Sequence, residues 1–247
     1  MNKKALVISI VAVVSSFIGG FILANALNRK EITNLQAEAG RLRNSSPNSA
    51  ETVEETALTD EEIRGKIAEA DANPANVEFQ KNLAIALYRY ASMKQQSKWL
   101  PDVARLLTRS FEKNPKDFNA AVSLGNIYFD IAHDEQNKES YKKSREFYHK
   151  ALDIKPNDIE TQTDLGLTYL MSSPPEIDKA VTEFQKSLKI DAKHEKTLQN
   201  MIQAQIGLGN LPSAEQYLSL LKETNPNNEA IAELSSRLLQ EKNNLQK

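Results

Sequence analysis

Three histidines, no cysteine and one short charged cluster are the whole stock of reactive side chains in this 247-residue sequence. His133, His149 and His194 are scattered, whereas a metal ion needs several ligands converging at helix or loop spacing. His133-Asp134-Glu135 is the densest group, and it is expected in a solvated turn between two helices. There is no Gly-x-Ser-x-Gly elbow, no phosphate-binding glycine loop and no His-Glu-x-x-His pair. The missing cysteines exclude disulfides, thiolate zinc sites, thiol catalysis and a lipoprotein anchor. The sequence therefore predicts no catalytic residue, no metal and no cofactor. The single tryptophan, Trp99, is expected to pack between helices rather than to stand exposed as a binding hot spot. Recognition by shape and hydrogen bonding is the chemistry that remains.

The charge balance narrows the partner. Residues 1–59 hold six Lys/Arg and five Asp/Glu, and residues 60–247 hold 25 and 28. A mildly acidic body does not suit nucleic acid, which needs clustered cations against phosphate. A protein or peptide partner is expected instead.

The N-terminus predicts a membrane anchor over residues 1–30. No charge occurs between Lys4 and Arg29, and Ala5–Leu27 is apolar or small throughout. About 20 apolar residues span a bilayer core as a helix. Lys3, Lys4 and Ala24-Asn25-Ala26 also fit a cleaved signal peptide, but the apolar core from Ala5 to Leu23 exceeds the usual ~7–15 residues. Ala12, Ser16, Gly20 and Ala24 recur every four residues, a face that lets two such helices approach and self-associate. The short basic tail before the span leads us to expect a single-pass protein of a bacterial inner membrane. The remainder would then lie in the periplasm.

Residues 31–58 read as a polar linker. Ile32, Leu35, Ala39 and Leu42 have the spacing of a short coiled coil, and 44–58 is too polar to bury a core. Thr59-x-x-Glu62 is a capping box, so 59–76 is expected to hold a helix, with Ile63, Ile67 and Ala70 on one face, that covers the first repeat.

Beyond it the sequence is periodic. Pro74, Pro115, Pro156 and Pro226 each follow an amphipathic stretch and stop a helix. Leu124-Gly125-Asn126-Ile127-Tyr128 and Leu165-Gly166-Leu167-Thr168-Tyr169 share one pattern, followed by Ala151 and Pro156 or by Ala180 and Phe184. These motifs resemble the tetratricopeptide repeat (TPR) over about 150 residues. The resemblance implies an all-α chain in which the N-terminal transmembrane helix is followed by a right-handed α-solenoid. Four repeats are expected, at 77–117, 118–158, 159–194 and 195–228, with a solvating helix and tail at 229–247. The first two are 41 residues long and exceed the usual 34 by seven, nearly two helical turns. Longer helices near Ala91–Trp99 and Ile131–Tyr141 are therefore expected.

In TPR proteins the first helix of each repeat lines a groove that takes an extended peptide or a partner helix. Carried over, that face comprises Lys81, Tyr88 and Arg89 in the first repeat, then Asn119, Val122, Asn126 and Phe129. It continues with Thr163, Leu167 and Leu170, and ends on Lys196, Gln199 and Gln203. The chaperone-type clamp for a C-terminal carboxylate is not expected, because Ile85 stands where an Asn is required. The order of anchor, linker and elongated first repeat, with Leu87-Tyr88-Arg89-Tyr90-Ala91 and Ala104-Arg105-Leu106-Leu107, is also similar to the TPR subunits of cytochrome c maturation, which hold apocytochrome tails. A scaffold or adaptor is the general expectation. An apocytochrome chaperone or a translocon- or envelope-associated chaperone are the narrower ones.

Overall fold

The computed structural model describes residues 59–245. The anchor predicted over 1–30, its small-residue face at Ala12, Ser16, Gly20 and Ala24, and the linker at 31–58 lie outside the described residues. Among the described residues there are ten α-helices and one 3₁₀ turn, without a strand. None of these helices is long and apolar enough to cross a membrane.

The chain divides at Asn73–Pro74 into two compact units. In the first, α1 (Asp60–Ala72) opens with the predicted capping box: Thr59 Oγ1 accepts from the Glu62 N–H at 3.2 Å, and Glu62 Oε2 accepts from the Thr59 N–H at 2.9 Å. The bond from the Thr59 backbone holds the Glu62 carboxyl below its ordinary value.

The second unit is a run of helix pairs: α2 (Val77–Lys94) with α3 (Leu100–Lys113), α4 (Phe118–Glu135) with α5 (Lys138–Ile154), α6 (Ile159–Leu170) with α7 (Ile177–Ile190), and α8 (Glu195–Gly207) with α9 (Leu211–Thr224). Then α10 (Ala230–Leu245) follows. One kind of turn joins the pairs. The N–H of Asp117, Asp158, His194 and Asn228 donates to the carbonyl of Asn114, Lys155, Asp191 and Asn225, three residues back. Pro115, Pro156 and Pro226 occupy the second turn position, where a fixed φ suits the geometry. Asp117 and Asp158 then cap α4 and α6 by accepting from the N–H of Ala120 and Thr161.

The two inner pairs close on a small-to-large complement. A Cβ added to Gly125 would lie 2.4 Å from Tyr148, and one on Gly166 would lie 2.5 Å from Phe184. Those two glycines therefore admit an aromatic ring from the second helix. In the outer repeats the same positions hold Ala84 with Leu107 and Ile202 with Leu218, all buried. In the first repeat the larger Ala84 is matched by the smaller Leu107, which keeps the packed volume, whereas Ile202 with Leu218 fills the last repeat with two branched side chains. Leu234 and Leu238 of α10 complete the last core with Leu198, Leu218 and Leu221.

The extra residues of the long repeats enter helices. Both α2 and α4 have 18 residues, against 12 in α6 and 13 in α8. The extension stops earlier than expected, however. Gln95 (φ 52°) and Gln136 (φ 51°) end α2 and α4 in the left-handed conformation. The N–H groups of Gln96 and Asn137 then bond back to the carbonyls of Ala91 and Ala132 at 2.9 and 3.0 Å. That hydrogen-bonded close of a helix turns the chain before Trp99 and before Tyr141. His133-Asp134-Glu135 accordingly forms the last turn of α4 and not a loop, though all three are exposed. Trp99 is buried in the 3₁₀ turn Ser97–Trp99.

Candidate functional site

Residues from three successive repeats converge on one pocket of about 200 Å³. Its lining is Tyr88 from α2, Asn126, Phe129 and Asp130 from α4, Tyr148 from α5, and Asp164 and Leu167 from α6. The spacing of Asn126, Phe129 and Asp130 puts them on one side of α4, and Asp164 with Leu167 does the same on α6.

Hydrogen bonds fix the polar groups. The Tyr88 hydroxyl donates to Asp130 Oδ2 at 2.8 Å, crossing from the first repeat to the second. The Tyr148 hydroxyl donates to Asn126 Oδ1 at 2.7 Å, which leaves the Asn126 amide hydrogens for another acceptor. Lys196 Nζ donates to Asp164 Oδ1 at 2.7 Å and reaches Glu160 Oε2 at 3.4 Å.

The pocket is partly desolvated. Burial pushes the Asp130 carboxyl above the ordinary carboxylate range against the pull of the Tyr88 bond, and the Asp134 charge adds to the rise. Burial likewise raises Asp164 despite Lys196. Burial first, then the nearby aspartate charges, drive the phenols of Tyr88 and Tyr148 well above their usual value, so both stay protonated donors.

The expected face is thus partly assembled. Tyr88, Asn126, Phe129 and Leu167 meet in the pocket. Lys81 pairs with Asp117 at 2.6 Å, Lys196 with Asp164 and Glu160, and Gln199 donates to Asn228 Oδ1 at 2.9 Å. Arg89, Val122 and Gln203 are half-buried and Asn119 is exposed, and none of the four lines the pocket. One expectation needs correction. Thr163 is fully buried, because its face is covered by Ser187 of α7 and Thr197 of α8, with oxygen–oxygen distances of 2.7 and 2.6 Å. Leu170 is half-buried, packs against the cluster of Ala180, Phe184, Met201 and Ala204, and does not line the pocket. The residues missed are Asp130, Tyr148 and Asp164. Asp164 is the immediate neighbour of Thr163 and lines the pocket with Leu167, so on α6 the expectation misses by one residue at Thr163 alone. Asp130 follows Asn126 by one helical turn and is legible by that spacing.

A second cluster has the composition of a hydrolytic triad. His194 Nδ1 lies 2.7 Å from Thr197 Oγ1 and its Nε2 lies 2.9 Å from Glu160 Oε1. Thr197 and Ser187 have no exposed surface, so no substrate reaches either hydroxyl. The cluster is a polar joint between α6, α7 and α8. Burial works to raise Glu160, but the bonds from His194 and Lys196 outweigh it and hold the carboxyl below its usual range. Among the described residues no group of three or more His, Asp or Glu side chains is arranged to hold a metal ion.

Comparison with known proteins agrees with this architecture. Residues 176–238 match the family model described as tetratricopeptide repeat. A crystal structure of MamA is 21% identical, covering 68% of this chain and 82% of that one, with a TM-score of 0.53. MamA residues 41 to the end from Desulfovibrio magneticus RS-1 are 17% identical over 83% of this chain and 99% of that one, at 0.54. TTC0263, a thermophilic TPR protein in Thermus thermophilus, is 16% identical over 73% and 90%, at 0.53. No curated protein matches the sequence. The helix pairs α2 to α9 have the fold of tetratricopeptide repeats.

Proposed function

We propose that this chain is a membrane-held scaffold that binds an extended segment of a partner protein across the first helices of its repeats. The observation that carries this is the pocket itself. Three successive repeats contribute to it, and it presents phenol, amide and carboxylate groups beside Phe129 and Leu167. Amides pair with a peptide backbone, and apolar hollows accept its side chains. The burial of the hydroxyls around His194 supports recognition over catalysis. The uncharged stretch from Ala5 to Asn28 supports the tether.

A photo-crosslinking residue placed at Phe129, and separately at exposed Glu112 of α3, tests the binding reading in living cells. A discrete adduct from position 129 that vanishes with Asn126→Ala is expected. Equal labelling from both positions sinks the proposal. Alkaline phosphatase and green fluorescent protein fused after Lys247 test the tether. Phosphatase activity without fluorescence is expected, because we place the repeats outside the cytoplasm. The apocytochrome and envelope-chaperone readings need that topology, and fluorescence without phosphatase activity eliminates both.

A further inference from the structure

We infer that the pocket between the first three repeats is a specificity subsite for one cationic side chain, lysine or arginine, of the bound segment. This rests on the peptide-binding reading above. The charge in the pocket is incompletely balanced. Asp164 is bonded to Lys196, but that ammonium is shared with Glu160. Asp130 accepts from a neutral phenol and has no ion pair among the described residues. The other charges felt at these two carboxylates are those of Asp134, Asp158 and Glu160, with His133 beside Asp130. An excess of negative charge in a half-buried site attracts a cation more strongly than the same charge in water.

The shape suits one long side chain. A hollow of about 200 Å³ admits a lysine or arginine stem. Rings of Tyr88, Phe129 and Tyr148 with Leu167 line it, so the methylenes meet apolar surface while the head group meets the carboxylates. The free amide hydrogens of Asn126 stand in the same lining and meet a carbonyl of the segment that carries the cation.

The test uses the full chain in detergent micelles, fluorescently labelled, on an array of random-sequence peptides. Retained peptides are expected to be enriched in Lys or Arg at one position. In a selected peptide, replacing that lysine by norleucine should weaken binding at least about tenfold. With Asp130→Asn and Asp164→Asn together, the same replacement should change binding less than about twofold. Should the double variant lose its helical circular dichroism, Asp130→Asn alone serves, since its amide oxygen still accepts from Tyr88. Peptides retained with no cationic preference, or with acidic residues enriched, overturn the subsite and leave peptide binding standing. No retention of any peptide overturns both.

Discussion

The hydroxyl of Tyr88 and the carboxylate of Asp130 meet at 2.8 Å across the seam between the first and second repeats. A phenol that neutralises nothing but satisfies one oxygen keeps a desolvated carboxylate in place without removing its charge. Tyr88→Phe leaves that oxygen unsatisfied and should cost about 1–3 kcal/mol of stability. Urea denaturation measures it. In the Asp130→Asn background, where no charge is stranded, the same change should cost distinctly less, and equal losses would mean the bond is incidental.

Asp130 also sets a pH dependence with a definite sign. Its folded-state pKa is raised, chiefly by burial, so the ionised carboxyl opposes folding at neutral pH. That cost falls as pH drops through the raised value and is gone below the unfolded value of about 3.9. Asp130→Asn should therefore melt at or above the wild-type temperature at pH 7, and the gap should close towards pH 4. A gap that widens on acidification would contradict the burial of Asp130.

Gly166 is a sharp packing constraint. A methyl there would lie 2.5 Å from the Phe184 ring. Gly166→Ala should cost about 1–3 kcal/mol, because the ring is fully buried and has nowhere to move. Adding Phe184→Leu should recover part of that loss, since Ala84 with Leu107 is the pairing the first repeat uses. Thermal unfolding of the single and double variants decides it.

Gln95 takes a left-handed backbone that favours glycine, at an exposed helix end. Gln95→Gly should raise stability by about 1 kcal/mol. Gln136 is a less informative site, because its side chain bonds the His133 carbonyl at 2.8 Å and offsets part of the strain. A loss at position 95 would show that the glutamine side chain matters there.

Much of the repeat architecture is written locally. Proline after asparagine or lysine, a capping aspartate two residues on, and glycine opposite an aromatic each carry their own physical reason, so the turns and the inner packing are legible one residue at a time. The pocket is not. Thr163 and Asp164 are adjacent polar residues on one helix, and which of them is covered and which lines the pocket depends on where α7 and α8 lie. The end of α2 at Lys94 is equally opaque, because a glutamine in place of glycine hides the stop from the sequence.

Most joints in the stack are filled by apolar side chains, which tolerate sliding by a fraction of a turn. The joint that unites Thr163, Ser187 and Thr197 is different, since three buried hydroxyls within 2.6–2.9 Å of one another are satisfied together in a single alignment. Like a key in a keyway, it fixes the angular setting of the fourth repeat against the third. Lys196 starts from that fourth repeat, so the same key sets how far its ammonium reaches towards Asp164.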